Sequence, residues 1–172
     1  MSLNWKNDPD LSSKSDMDYL QDVIESLTSM LHSNPQDTAL LFKRGNAYLD
    51  KGVYQEAISD YSSILAIHPE DAISLNNRGI CYRCIADPEN AIRDFNDAIS
   101  IDPLYRDAYN NRGMALSDKE DYSNAIDDFT QAITIDSQYW YAYNNRGMAL
   151  WAVGKKEAAA ADYNIVRSLM ES

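Results

Sequence analysis

The sequence predicts an all-α protein built of stacked helix-turn-helix repeats, and three observations lead there. A short phrase recurs as Lys43-Arg44-Gly45, Asn77-Arg78-Gly79, Asn111-Arg112-Gly113 and Asn145-Arg146-Gly147, with its glycines 34 residues apart. Twelve residues after each glycine stands an alanine (Ala57, Ala91, Ala125, Ala159), and four further on an aromatic (Tyr61, Phe95, Phe129, Tyr163). Apolar residues keep helical rather than alternating spacing: Ala91, Ile92, Phe95, Ala98 and Ile99 fall on one face, and Ala125, Ile126, Phe129, Ala132 and Ile133 repeat it. A fixed period of this size describes an array in which each unit covers its neighbour, not a globule around one central active site.

The elements follow in chain order. Residues 1–15 are polar and read as a flexible tail. Residues 16–34 read as a capping helix, half of a repeat, with Leu20, Val23, Ile24, Leu27, Met30 and Leu31 apolar; it stops before Asn34-Pro35. Four units are predicted at 38–71, 72–105, 106–139 and 140–172. Pro69 and Pro103 close the first two, with Ser137 in the equivalent place of the third. Internal breaks fall at Asp50-Lys51-Gly52, Asp87-Pro88, Ser117 to Asp121 and Val153-Gly154. Asp87-Pro88-Glu89 is a helix start, with Asp as cap and Pro in the first turn.

The repeated phrase has a physical reading. Glycine inside a helix costs about 1 kcal/mol against alanine, so its recurrence predicts close approach of two helices, with the alanine column as the opposing surface. Each arginine has an aspartate sixteen residues on, pairing Arg44 with Asp60, Arg78 with Asp94, Arg112 with Asp128 and Arg146 with Asp162. These are expected to be structural ion pairs. Whether each arginine meets its own unit's aspartate or a neighbour's stays open.

Composition excludes several classes. The 172 residues carry 15 Lys and Arg against 27 Asp and Glu, a net charge of −12. Nucleic acid and anionic membrane are therefore not expected as partners, since both reward cations; a basic peptide is compatible with the balance. Cys81 and Cys84 form C-x-x-C inside a helix rather than at its N-terminus, and His32 and His68 lie in other elements. Two reduced thiols are expected, with no metal and no cofactor. With two histidines and no glycine-rich phosphate loop, no catalytic residue is assigned and an enzyme is not expected. Reduced thiols, no signal peptide and no long apolar run predict a cytoplasmic protein.

The stretch Asn110-Asn111-Arg112-Gly113-Met114-Ala115-Leu116, followed by Asn124-Ala125-Ile126-Asp127-Asp128-Phe129, resembles the tetratricopeptide repeat, and the resemblance covers residues 38 to 172. It implies a right-handed superhelical α-solenoid in which the first helix of each unit lines a concave groove. It also implies a non-catalytic scaffold that binds a peptide or protein partner. Helical spacing then places Asn76, Asn77 and Ile80, then Asp107, Asn110, Asn111 and Met114, then Tyr141, Asn144, Asn145, Met148 and Trp151 toward that groove. With Asn46 from the first unit, the candidate site comprises Asn46, Asn77, Asp107, Asn111, Met114, Tyr141, Asn145, Met148 and Trp151. Asn77 and Asn111 would meet a peptide backbone; Tyr141, Asn145, Met148 and Trp151 would anchor side chains.

Relatives that hold the C-terminal carboxylate of Hsp70 or Hsp90 use two asparagines and three basic residues. The asparagines match Asn46 and Asn77, but the basic places fall on Phe42, Asp107 and Asn111. A carboxylate needs Lys or Arg there, so that ligand is not expected. An alternative role is end-to-end self-association through the last helix, which no polar cap follows, with Ile165, Leu169 and Met170 as the exposed candidates. A further alternative is that the chain is a segment of a larger protein.

Overall fold

The computed structural model describes residues 16–171, so the tail predicted at 1–15 lies outside the described residues. The described residues form nine helices: α1 (Asp16–Ser33), α2 (Thr38–Lys51), α3 (Tyr54–Ile67), α4 (Ala72–Cys84), α5 (Pro88–Ile101), α6 (Arg106–Asp118), α7 (Tyr122–Ile135), α8 (Trp140–Ala152) and α9 (Lys156–Glu171). The chain parts into two compact units between Ile67 and His68. In the first, α2 packs on both α1 and α3. In the second, the hairpins α4–α5, α6–α7 and α8–α9 stack in chain order, and α6 also touches α4 and α8.

Local chemistry explains where the helices begin and end. Asp37 caps α2, accepting from the backbone N–H groups of Ala39 at 3.0 Å and Leu40 at 3.1 Å. Asp71 caps α4 in the same way, and Asp87 and Asp121 cap α5 and α7. Gly52 and Gly154, both at φ 78°, close the first helices of the first and last hairpins in the left-handed region. Tyr105 and Tyr139 precede α6 and α8, and neither side chain caps its helix.

The arginine column is settled in favour of each unit's own aspartate. Arg112 binds Asp128 through Nε–Oδ2 at 2.7 Å and Nη2–Oδ1 at 2.6 Å, joining the two helices of one hairpin. Arg44–Asp60, Arg78–Asp94 and Arg146–Asp162 repeat this bidentate geometry at 2.7 to 2.8 Å. The four aspartates are buried, at 3–5% exposure. Hydrogen bonding to the carboxylates raises the pKa of all four arginines. A third contact ties in the preceding helix: Arg44 Nη1 donates to Thr28 of α1, Arg112 Nη1 to Asn96 of α5 and Arg146 Nη1 to Thr130 of α7.

The glycine column meets the aromatic column, not the alanines expected to oppose it. A Cβ on Gly113 would stand 2.6 Å from Phe129 Cε1, and one on Gly79 2.6 Å from Phe95 Cε1. At Gly45 the nearest atom, Tyr61 Cε1, is 3.0 Å away. Ala91 and Ala125 serve the joints between hairpins of the second unit instead. Ala125 and Phe129 of α7 form one buried cluster with Ala149 of α8, as Ala91 and Phe95 of α5 do with Ala115 of α6. The sequence pattern alone misassigns this because the alanine and aromatic share one helical stripe, and only the ring is long enough to cross the hairpin.

Two stability predictions follow from this geometry. Gly113→Ala gains about 1 kcal/mol of helix propensity but forces a buried ring to move, an overpacking cost of about 1–3 kcal/mol. It should be destabilising in urea unfolding, whereas Gly45→Ala, with more room, should lie close to neutral; equal effects would contradict the steric account. Arg112→Met strands a buried carboxylate and should cost about 3–5 kcal/mol. Adding Asp128→Leu to it should recover most of that loss, and failure to recover would mean that the arginine acts through packing alone.

Candidate functional site

In the second unit the first helices α4, α6 and α8 present equivalent positions in columns 34 residues apart. One column is Ile73, Asp107 and Tyr141; others are Asn77, Asn111 and Asn145, then Ile80, Met114 and Met148, then Arg83, Ser117 and Trp151. Eight of the predicted site residues lie on these three helices. Asn46 belongs to α2 of the first unit, where its side-chain oxygen accepts a hydrogen bond from the Tyr61 hydroxyl at 2.6 Å.

A cleft of about 410 Å³ opens between α6, α7 and α8, lined by Met114, Asn145, Met148 and Arg83 of the first helices and by Tyr122 and Phe129 of α7, among others. Three large side chains of α8 are exposed: Met148, which lines the cleft, at 60%, Trp151 at 55% and Tyr141 at 52%. Trp, Tyr and Met are residue types that anchor partners. Lys156 lies 5.3 Å from the Trp151 ring centroid, a cation–π contact on one flank of the indole.

The asparagine ladder is partly spent inside the protein. Asn76 and Asn110, expected on the groove floor, are each 4% exposed. Asn111 Nδ2 donates to Asn76 Oδ1 and Asn145 Nδ2 to Asn110 Oδ1, both at 2.9 Å, so each rung joins neighbouring first helices. Asn76 Nδ2 passes on to Asn77 Oδ1 at 3.2 Å, while Asn110 Nδ2 points at Met114 Sδ at 3.6 Å. Burial of one amide requires a partner, and the next repeat's asparagine supplies it. Asn111 and Asn145 keep their carbonyl oxygens and one N–H each for other ligands.

The polar pair beside the cleft was not singled out from the sequence. Arg83 Nε meets Asp118 Oδ2 at 2.8 Å, joining α4 to α6. The column containing Trp151 also contains Ser117 and Arg83, and extending it one repeat at a time would have found them.

Asp107 sits at the N-terminal end of the face, 43% exposed, beside a cluster of rings. It accepts a hydrogen bond from Tyr139, whose pKa is raised first by burial and then by the Asp107 charge and that bond. Tyr105 is pushed up to about 12, first by burial and then by Asp107, Asp71 and Asp102. Arg106 lies 3.5 Å from Asp107, pairs with Asp136 and stacks over Tyr139 at 4.5 Å. Tyr141 stacks on Trp140 with centroids 3.6 Å apart and lies 5.8 Å from Tyr139.

Cys81 is buried and Cys84 exposed, and both are free. Burial pushes the Cys81 thiol from 9.0 up to about 12. Among the described residues, no group of three or more His, Cys, Asp or Glu could hold a metal ion, and no helix is long and apolar enough to cross a membrane.

Stacked hairpins with a repeated inner scaffold and a variable outer face define an α-helical repeat protein. The description "Tetratricopeptide repeat" matches at residues 24–83 and again at 107–139, more than half of the chain. The chain belongs to the tetratricopeptide repeat family. No curated protein matches its sequence. Among solved structures, the crystal structure of MamA superposes with a TM-score of 0.80 and 21% identity, over 92% of this chain and 96% of that one. A tetratricopeptide repeat protein from Parabacteroides merdae gives 0.78 and 24% identity, over 88% of this chain and 59% of the other. The first tetratricopeptide domain of Spaghetti (RPAP3), bound to the HSP90 peptide SRMEEVD, gives 0.66 and 25% identity, over 69% and 94%.

The two thiols should separate in reactivity. At pH 8 a thiol reagent should label Cys84 quickly and Cys81 only on unfolding; two fast thiols would contradict the burial. Because the folded Cys81 thiol titrates above its unfolded value, its contribution to stability is complete below pH 9.0 and is lost as pH rises toward about 12.

Proposed function

We propose that this protein is a non-catalytic scaffold that holds an extended segment of a partner protein along the face of α4, α6 and α8. The observation that carries the reading is the 410 Å³ cleft lined by Met114, Asn145 and the exposed Met148, with Trp151 exposed three residues further along α8. Family membership supports the same role, since the tetratricopeptide fold is a protein-interaction scaffold. Met148 and Trp151 supply the apolar anchor. The side-chain oxygens of Asn111 and Asn145, whose amide nitrogens are engaged, accept backbone N–H groups of the partner, which favours an extended segment over a helix, whose N–H groups are already engaged.

The peptide bound by the Spaghetti domain is acidic, with two Glu and one Asp in SRMEEVD. A ligand of that kind is a poor fit here. Position 107 carries a carboxylate and position 111 an amide, where the family's carboxylate clamp has cations.

Selection of peptides from a random display library on the full chain tests the reading. Trp151→Ala and Met148→Ala should each weaken the selected peptides about tenfold or more, in line with the loss of an anchoring aromatic or Met. Gln131→Ala, exposed on the second helix α7, should leave binding unchanged. Equal loss in all three variants would remove the face from consideration.

A further inference from the structure

We propose that the partner segment is basic, and that one of its arginine or lysine side chains docks against Asp107 and the exposed ring of Tyr141. This rests on the groove reading above and names the partner's chemistry.

Charge accounting on the three helices carries it. None of α4, α6 and α8 contains a lysine. Every arginine on them is already met by a carboxylate: Arg78, Arg112 and Arg146 by the buried aspartates, Arg83 by Asp118, and Arg106 by Asp136 and Asp107. On these helices an acidic segment therefore finds no uncommitted cation; the cation beside the face is Lys156 of α9, which lies over the Trp151 ring and away from Asp107 at the N-terminal end. A basic one finds Asp107, which shares a single guanidinium with Asp136 and remains 43% exposed.

The rings say which cation chemistry the place accepts. Arg106 already stacks over Tyr139 at 4.5 Å while facing two carboxylates. The protein's own side chain thus occupies one half of an arrangement suited to a guanidinium, which stacks on rings and is weakly hydrated. Tyr141, 5.8 Å from Tyr139 and 52% exposed, offers the other half.

An independent feature points the same way. Asp37 and Asp71 cap α2 and α4, but the same register holds Tyr105 and Tyr139 before α6 and α8, with no side-chain cap bond. A good cap is given up twice, and in both places the replacement is a ring beside Asp107. Local rules broken without local gain mark functional positions.

The test uses the full chain and a phage-displayed library of random peptides, with far-ultraviolet circular dichroism confirming that each variant is folded. Wild type should enrich peptides with Arg or Lys at a fixed distance from an apolar residue, and their affinity should fall as salt rises. Asp107→Lys should bind those peptides about tenfold or more weakly and, in its own selection, enrich Asp and Glu. Peptides that depend on Met148 and Trp151 but show no basic enrichment would overturn this proposal and leave the groove reading standing. A selection yielding no peptide dependent on Met148 or Trp151 would overturn both. An unchanged preference in Asp107→Lys would assign the basic residue elsewhere and overturn the docking place.

Discussion

Each hairpin carries an aspartate buried to 3–5% exposure, and a buried carboxylate must be met by a cation and by enough hydrogen bonds to replace water. The arginine of the first helix does both. Its planar fork binds the two carboxylate oxygens at once, which fixes the azimuth of one helix on the other as well as their separation. A lysine could neutralise the charge but not set the angle. The glycine and the aromatic then work within that frame. Once the two helices are held this closely, a ring from the second fills the space over the first, and at Gly79 and Gly113 only a residue without a Cβ fits beneath it.

The division of labour between faces comes from the same geometry. Arginine, glycine, alanine and aromatic all point into a hairpin or into the joint between hairpins. Within the second unit, what remains for solvent on the first helices is a set of columns that need not match from repeat to repeat. Apart from the asparagines at 77, 111 and 145, they do not: Ile73, Asp107 and Tyr141 share a column, as do Arg83, Ser117 and Trp151. The repeated positions hold the scaffold, and the unmatched ones give the face its chemistry.

Much of the fold was legible because its signals are periodic. The 34-residue spacing, the helical stripe of Ala91, Ile92, Phe95, Ala98 and Ile99, and the Asp87-Pro88 start all depend on local geometry that a sequence states directly. What opposes Gly113 was not legible, because side-chain reach decides between Ala125 and Phe129 and spacing does not. The candidate face was partly legible. Met148 and Trp151 stand out as apolar residues at solvent positions, but the burial of Asn76 and Asn110 depends on a hydrogen bond to the next repeat, which no single repeat contains. The ring cluster around Asp107 was hidden for a similar reason: Tyr105 and Tyr139 occupy cap positions and look like loop residues until the caps are seen to be missing.

The third bond of Arg112 and of Arg146 has a consequence for how the array comes apart. Arg112 reaches back to Asn96 and Arg146 to Thr130, so a hairpin that opens removes a hydrogen-bond partner from the hairpin that follows it. Neighbouring hairpins of the second unit are thus coupled energetically, beyond the apolar contact between them. Opening of the last hairpin disturbs one joint, whereas opening of the middle one disturbs two. Within that unit, hydrogen-exchange protection should accordingly be highest in α6 and α7, an order set by connectivity and not by the intrinsic helicity of any segment.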